Sequence, residues 1–175
     1  MKIKKTTVAP SDLIHQFLPA SYSETFEANI VSNENITPDD ILVDFWTEMP
    51  GWVNFLFKLR NQLVKPFGLK GEEDDMRSKE KLIECIRNGE QHKLMKVAAK
   101  SEDETVLSLT DKHLTAYIGI RINKSYDDSK QVKASTIVQF HNTLGKVYFL
   151  VISPFHFIIV ISKMKSTLKK LFRLN

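Results

Sequence analysis

Alternation with a period of two marks the first element. From Tyr22 to Ile30 the even positions Tyr22, Phe26, Ala28 and Ile30 are apolar while Ser23, Thr25, Glu27 and Asn29 are not, the pattern of a strand with one buried face. Glu24 falls on the inward parity and breaks it. Thr37-Pro38-Asp39-Asp40 then combines an N-cap, a proline at the first helical position and acids in the first turn, which opens a short helix through about Thr47. Met49-Pro50-Gly51 interrupts the helical pattern. A second helix follows from Trp52, with Trp52, Phe55, Leu56, Leu59 and Leu63 at spacings of three and four, ending near Pro66 to Gly68. The polar stretch Lys70 to Lys81 reads as a long loop.

The second half can be placed in register by arithmetic. Met95, Val97 and Ala99 alternate with polar or small residues, as do Leu107 and Leu109 after the Ser101-Glu102-Asp103-Glu104 turn, so a hairpin pairing Val97 with Leu109 gathers both apolar sets on one face. Asp111-Lys112 supplies the next tight turn. Leu114, Ala116, Ile118, Ile120 and Ile122 form the inward set of one strand, and Val132, Ala134, Thr136, Val138 and Phe140 that of another. A loop centred on Asp127 pairs Leu114 with Phe140, Ala116 with Val138 and Ile122 with Val132. This predicts an antiparallel meander from about His92 to His141.

A long helix from about Leu144 to Phe172 closes the chain. Asn142 or Thr143 caps it, and Pro154 should kink it by removing one hydrogen bond and crowding the carbonyl of Leu150. The element order is α+β. A curved sheet wrapped on this helix would bury its even-numbered face against Val147, Leu150, Val151, Phe155 and Ile158, leaving a cavity where side chains fail to meet.

Composition sets the class. A 175-residue chain with 42% hydrophobic and 26% charged residues is expected to form one domain, 1–175, with its own core. Cys85 stands alone, so no disulfide framework exists within the chain. No GxGxxG motif follows a strand and no cofactor is implied. The basic N-terminus lacks an apolar region behind it, which argues against a secretory signal and for a cytoplasmic location.

Charge is uneven. The net +4 conceals an acidic body, because Asp128 is the last acidic residue and eight Lys or Arg follow it. Lys163, Lys165, Lys169, Lys170 and Arg173 make a cationic end that complements the dipole of the last helix and can meet an acidic partner or anionic lipid. No nucleic-acid reading motif accompanies these residues, so nucleic acid is not expected as a partner. Val147 to Ile161 carries no formal charge. As a helix that run spans about 22 Å, short of the roughly 30 Å hydrocarbon core, so it reads as a buried helix rather than a membrane span. Its almost complete lack of a polar stripe requires some cover: the short helices, a membrane surface or a second copy, with a homodimer preferred.

Three groups of residues could carry chemistry. His113 and His141 face each other in the meander register, and with Asp111 they could form a two-His, one-carboxylate metal or acid–base site. At a strand end beside a turn and a helix cap, however, imidazoles more often satisfy backbone groups, and no metal is expected. Tyr22, Glu24 and Thr136 lie on the inward face and could orient a ligand in an apolar pocket. The plainer reading of Glu24 is a carboxylate in water at a frayed strand start. Trp46, Trp52, Phe45, Phe55 and Phe57 form either a pocket mouth or core. His156, after Pro154 and Phe155, reads as a satisfied, partly buried histidine. Taken together, the expected ligand-lining set is Tyr22, Glu24, Phe26, Trp52, Phe55, Leu107, Ile118, Thr136, Val138, Val151 and Phe155, around a small apolar or amphipathic molecule.

The segments GWVNFLFKLRNQLVKPFGL at 51–69, DKHL at 111–114 and TIVQFHNTLGKVYFLVISPFHFIIV at 136–160 resemble the bacterial domain-of-unknown-function family 2867. The element order is similar to the helix-grip fold of the START and birch-pollen-allergen superfamily (SRPBCC). That resemblance implies an apolar ligand held between a curved sheet and a long C-terminal helix. The family carries no established activity that would transfer to these residues.

Overall fold

The computed structural model describes residues 1–48, 51, 79–92, 94–124 and 128–174. Six strands form one sheet: β1 (Ile3–Thr6), β2 (Tyr22–Val31), β3 (Met95–Lys100), β4 (Glu104–Thr110), β5 (Leu114–Lys124) and β6 (Ser129–Phe140). Their spatial order is β1-β2-β6-β5-β4-β3, with every neighbouring pair antiparallel. The described helices are α1 (Pro38–Thr47), α2 (Lys79–Asn88) and α3 (Thr143–Leu171), and a short 3-10 segment spans Leu13–Phe17. This is an α+β fold of helix-grip-like form.

The β5–β6 register matches the alternation arithmetic: Leu114 pairs with Phe140, Ala116 with Val138 and Ile122 with Val132. Parity decides it, because a one-residue slip would turn every Ile and Val to the opposite face. The β3–β4 hairpin differs from expectation. Val97 pairs with Leu107 and Met95 with Leu109, and a bulge between Val97 and Ala99 shifts the ladder. The bulge sends Ala99 to the opposite face, where it packs with Ala98 near Val106.

Three elements escaped the pattern. Strand β1 pairs with β2, and the 3-10 segment after it places Ile14 against Val106 and Ile137 on the face away from α3. Glu104, 2% exposed, accepts the Leu13 and Ile14 amides at 2.6 and 2.9 Å. Burial pushes its carboxyl above the ordinary range, although these two hydrogen bonds pull the other way. Gly119 makes room, since a Cβ there would stand 3.1 Å from Ile14 Cδ1 and 3.3 Å from Glu104 Oε1. Helix α2 takes up the end of the stretch read as loop. Its Leu82, Cys85 and Ile86, at spacings of three and four, are buried in the main core.

Helix α1 starts as expected, with a capping box in which Thr37 Oγ1 accepts from the Asp40 amide and Asp40 Oδ2 accepts from the Thr37 amide. The second helix expected from Trp52 lies outside the described residues. Helix α3 begins at the Asn142 cap, whose Oδ1 accepts from the Gly145 amide at 3.0 Å, and continues through Pro154 as one 29-residue element. Ser153 Oγ donates to the Leu150 carbonyl at 3.2 Å, the carbonyl to which Pro154 cannot donate.

The burial of α3 corrects the expected face. Leu150 is 72% and Ile158 54% exposed, Val147 and Val151 are also exposed, and Phe155 is only half-buried. Phe149, Val160, Met164 and Leu168 turn inward instead. Only 17% of the helix's most apolar 18-residue stretch is buried, and α3 is long and apolar enough to cross a membrane.

Three of the five residues of the cationic end, Lys163, Lys170 and Arg173, are engaged within the chain. Lys163 is 1% exposed; its ammonium donates to the Asp44 and Glu48 carbonyls at the end of α1 and lies 5.9 Å from the centre of the Phe45 ring. Asp44 accepts from Thr167 Oγ1 and Lys170 Nζ, both at 2.6 Å, and Arg173 pairs with Glu34 at 3.2 Å. At this junction the polar groups joining α1 and α3 are themselves largely enclosed, Asp44, Lys163 and Thr167 all being buried.

Candidate functional site

The sheet register builds the site. Glu24 on β2 lies beside Thr136 on β6, which lies beside Ile118 on β5, then Leu107 on β4. The adjacent row on the same face is Tyr22, Val138, Ala116 and Leu109. Most of the expected ligand set therefore shares one face, as period-two parity requires.

Above this face, α3 brings down His156. Its Nδ1 lies 2.8 Å from Glu24 Oε1, with the Glu24 side chain 1% and the His156 side chain 23% exposed. Glu24 is thus enclosed well inside β2, not solvated at a frayed end. The contact is close but poorly aligned, so both carboxylate oxygens and Nδ1 are buried without a well-directed hydrogen bond. Burial pushes the Glu24 carboxyl up, yet interaction with His156 and the Tyr22 hydroxyl, together with the charges of His156 and Lys5, holds it below its ordinary value. Tyr22 responds in the opposite sense. Burial and the neighbouring carboxylate raise its phenol far above the usual range.

Aromatic rings enclose the trio. Tyr22 meets Phe149 at 4.7 Å between ring centres, Phe149 meets Phe140 at 5.6 Å and His156 at 6.2 Å, and Phe26 meets Phe157 edge-on at 5.3 Å. Glu24, His156 and Thr136 lie where two apolar clusters adjoin. One contains Leu114, Val138 and Phe149, with Tyr22 packed against it, and the main core contains Phe26, Leu107 and Ala134 with Ile118 at its edge.

Of the expected lining residues, Tyr22, Glu24, Thr136 and Val138 come together here, while Phe26 and Leu107 are absorbed into the core. Val151 turns outward and is 39% exposed, and Phe155 is half-buried on α3. Trp52 and Phe55 lie outside the described residues. Phe149 was not singled out by pattern, since an apolar helix offers no period by which to choose its inner face. His156 was noted for its position after Pro154-Phe155, but nothing local pointed to Glu24 as its partner.

The histidine pair occupies the expected ladder position, with the His141 amide donating to the His113 carbonyl at 2.8 Å. The remaining groups serve the turn and the helix cap. Asp111 Oδ1 accepts from the His113 and Leu114 amides at 2.6 and 2.9 Å, His141 Nε2 bonds Thr115 Oγ1 at 3.1 Å, and His113 Nδ1 faces the Asn142 amide. Among the described residues no group of three His, Cys, Asp or Glu side chains could hold a metal ion.

A sheet with one long helix laid across it, and a carboxylate–imidazole contact enclosed between the two, defines a helix-grip-like α+β protein with a polar centre in an apolar interior. The chain belongs to the family described as protein of unknown function (DUF2867), whose model matches residues 18–163. That span contains Tyr22, Glu24, Thr136 and His156. No curated protein matches the chain.

Proposed function

We propose that this protein binds a small amphipathic molecule between the sheet and α3, its polar end at Glu24 and His156. The observation that carries the reading is the enclosed Glu24 carboxylate, both of whose oxygens lack an aligned donor. A buried carboxylate retains acceptor capacity on both oxygens, and leaving it unused is costly in an apolar interior. A ligand hydroxyl or amine adds a well-directed donor to the contacts that His156 and Tyr22 already make. The surrounding Phe149 and Tyr22 rings favour an apolar body attached to that group, with affinity from burial and orientation from Glu24, His156 and Tyr22.

Native mass spectrometry of the purified chain, followed by thermal melts with dodecanol and dodecylamine, tests this. The expected results are a co-purifying organic mass and a raised melting temperature with either probe, both reduced in Glu24→Leu. A bare protein mass together with melts indifferent to both probes overturns the reading.

A further inference from the structure

The outer face of α3 is a separate feature that does not depend on the ligand reading. Val147, Leu150, Val151, Phe157 and Ile158 are exposed, and they make up five of the eight exposed large apolar side chains among the described residues. Their spacing places them on one side of the helix with the exposed Pro154. The stripe extends about 16 Å from Val147 to Ile158 and is framed by exposed lysines, with Lys146 before it and Lys165 and Lys169 after it. Helix α3 contains no acidic residue. At the sheet edge, Lys5 Nζ lies 6.0 Å from the centre of the Phe157 ring.

We propose that this face docks on an anionic lipid surface, the helix lying in the interface with its inner side still held by the sheet. The charge arrangement selects lipid over a second copy. An antiparallel pairing over 147–161 would bring Lys146 of each copy within a helical turn of Lys165 of the other, and a parallel pairing would set each lysine beside its own equivalent. Neither arrangement meets an acid on α3, and apposed like charges disfavour both. An anionic bilayer accepts the apolar stripe and the same lysines together. The helix lies on the membrane rather than crossing it, because Phe149, His156, Lys163 and Thr167 are tied to β2, β6 and α1 on its other side.

Flotation of the full chain tests the proposal, using phosphatidylcholine vesicles with and without phosphatidylserine. The chain should float with the anionic vesicles only and be released by salt. Leu150→Glu/Ile158→Glu should abolish flotation. Lys165→Gln/Lys169→Gln, which leaves the apolar stripe intact, should weaken it about 30-fold, from about 1 kcal/mol per lysine. Equal flotation with neutral vesicles, unchanged flotation of the double Glu variant, or none by the parent chain overturns the proposal. So does a two-chain mass in light scattering that falls to one chain in the double Glu variant, which would assign the stripe to a second copy.

Discussion

His156 on the C-terminal helix stands 2.8 Å from Glu24 on the second strand, so two residues from opposite ends of the chain meet inside an aromatic enclosure. The contact ties helix to sheet at the point where two apolar clusters adjoin.

The sign of its pH dependence follows from Glu24. Its folded pKa is below the ordinary 4.5, so the unfolded chain binds the extra proton first, and the stabilisation present above 4.5 is lost as pH falls through the folded value. Thermal melts from neutral to acid pH should show wild type losing an acid-sensitive increment that Glu24→Gln lacks. His156→Ala leaves the enclosed carboxylate without its partner and should cost about 2 kcal/mol at neutral pH, read as a lowered denaturant midpoint.

The junction of α1 with α3 should separate two kinds of buried charge. Asp44→Ala removes the acceptor of Thr167 and Lys170 and should cost about 2 kcal/mol. Lys163→Met keeps the side chain's bulk while removing a buried charge, so stability should stay within about 1 kcal/mol of wild type or rise. Burial holds the Lys163 pKa below 10.5 despite Asp44 and Glu48. Wild type should therefore gain stability as pH rises from the folded value towards 10.5, and the Met variant should lack that gain. Chemical denaturation across the alkaline range checks both.

Gly145 sets propensity against packing. Alanine is favoured over glycine within a helix by about 1 kcal/mol, but a Cβ at this position would lie 2.2 Å from the His113 backbone carbonyl oxygen. The overlap involves backbone on both sides and cannot be relieved by a rotamer change. Gly145→Ala should destabilise by about 3 kcal/mol, with a helix-propensity gain too small to compensate. A denaturant titration showing the alanine variant at or above wild-type stability would refute this account of the helix start.

Legibility followed locality. The Thr37 cap of α1, a cap at Asn142 or Thr143 and the β5–β6 register are each decided by residues close in sequence or by strict parity, and each could be read directly, while the choice of Asn142 is made by its bond to the Gly145 amide. The β3–β4 ladder differs from the expected pairing by two residues: the turn accounts for one, since Lys100 pairs with Thr105, and the bulge between Val97 and Ala99 for the other, with no local mark among small residues such as Ala98 and Ala99. Helix α2 carried a legible signal in Leu82, Cys85 and Ile86, obscured by the polar residues before it.

The alternation of apolar residues by itself determined the meander, the charge-free run behind Asn142 and Thr143 determined the long terminal helix, and parity placed Tyr22, Glu24, Thr136 and Val138 on one face. Only the tertiary structure decided which side of that helix turns inward, that Phe149 and His156 descend onto Glu24, and that Lys163 is buried. The reason is physical: a strand's two faces are distinguished by every second residue, whereas a helix apolar almost all round has no preferred side until a particular sheet packs against it.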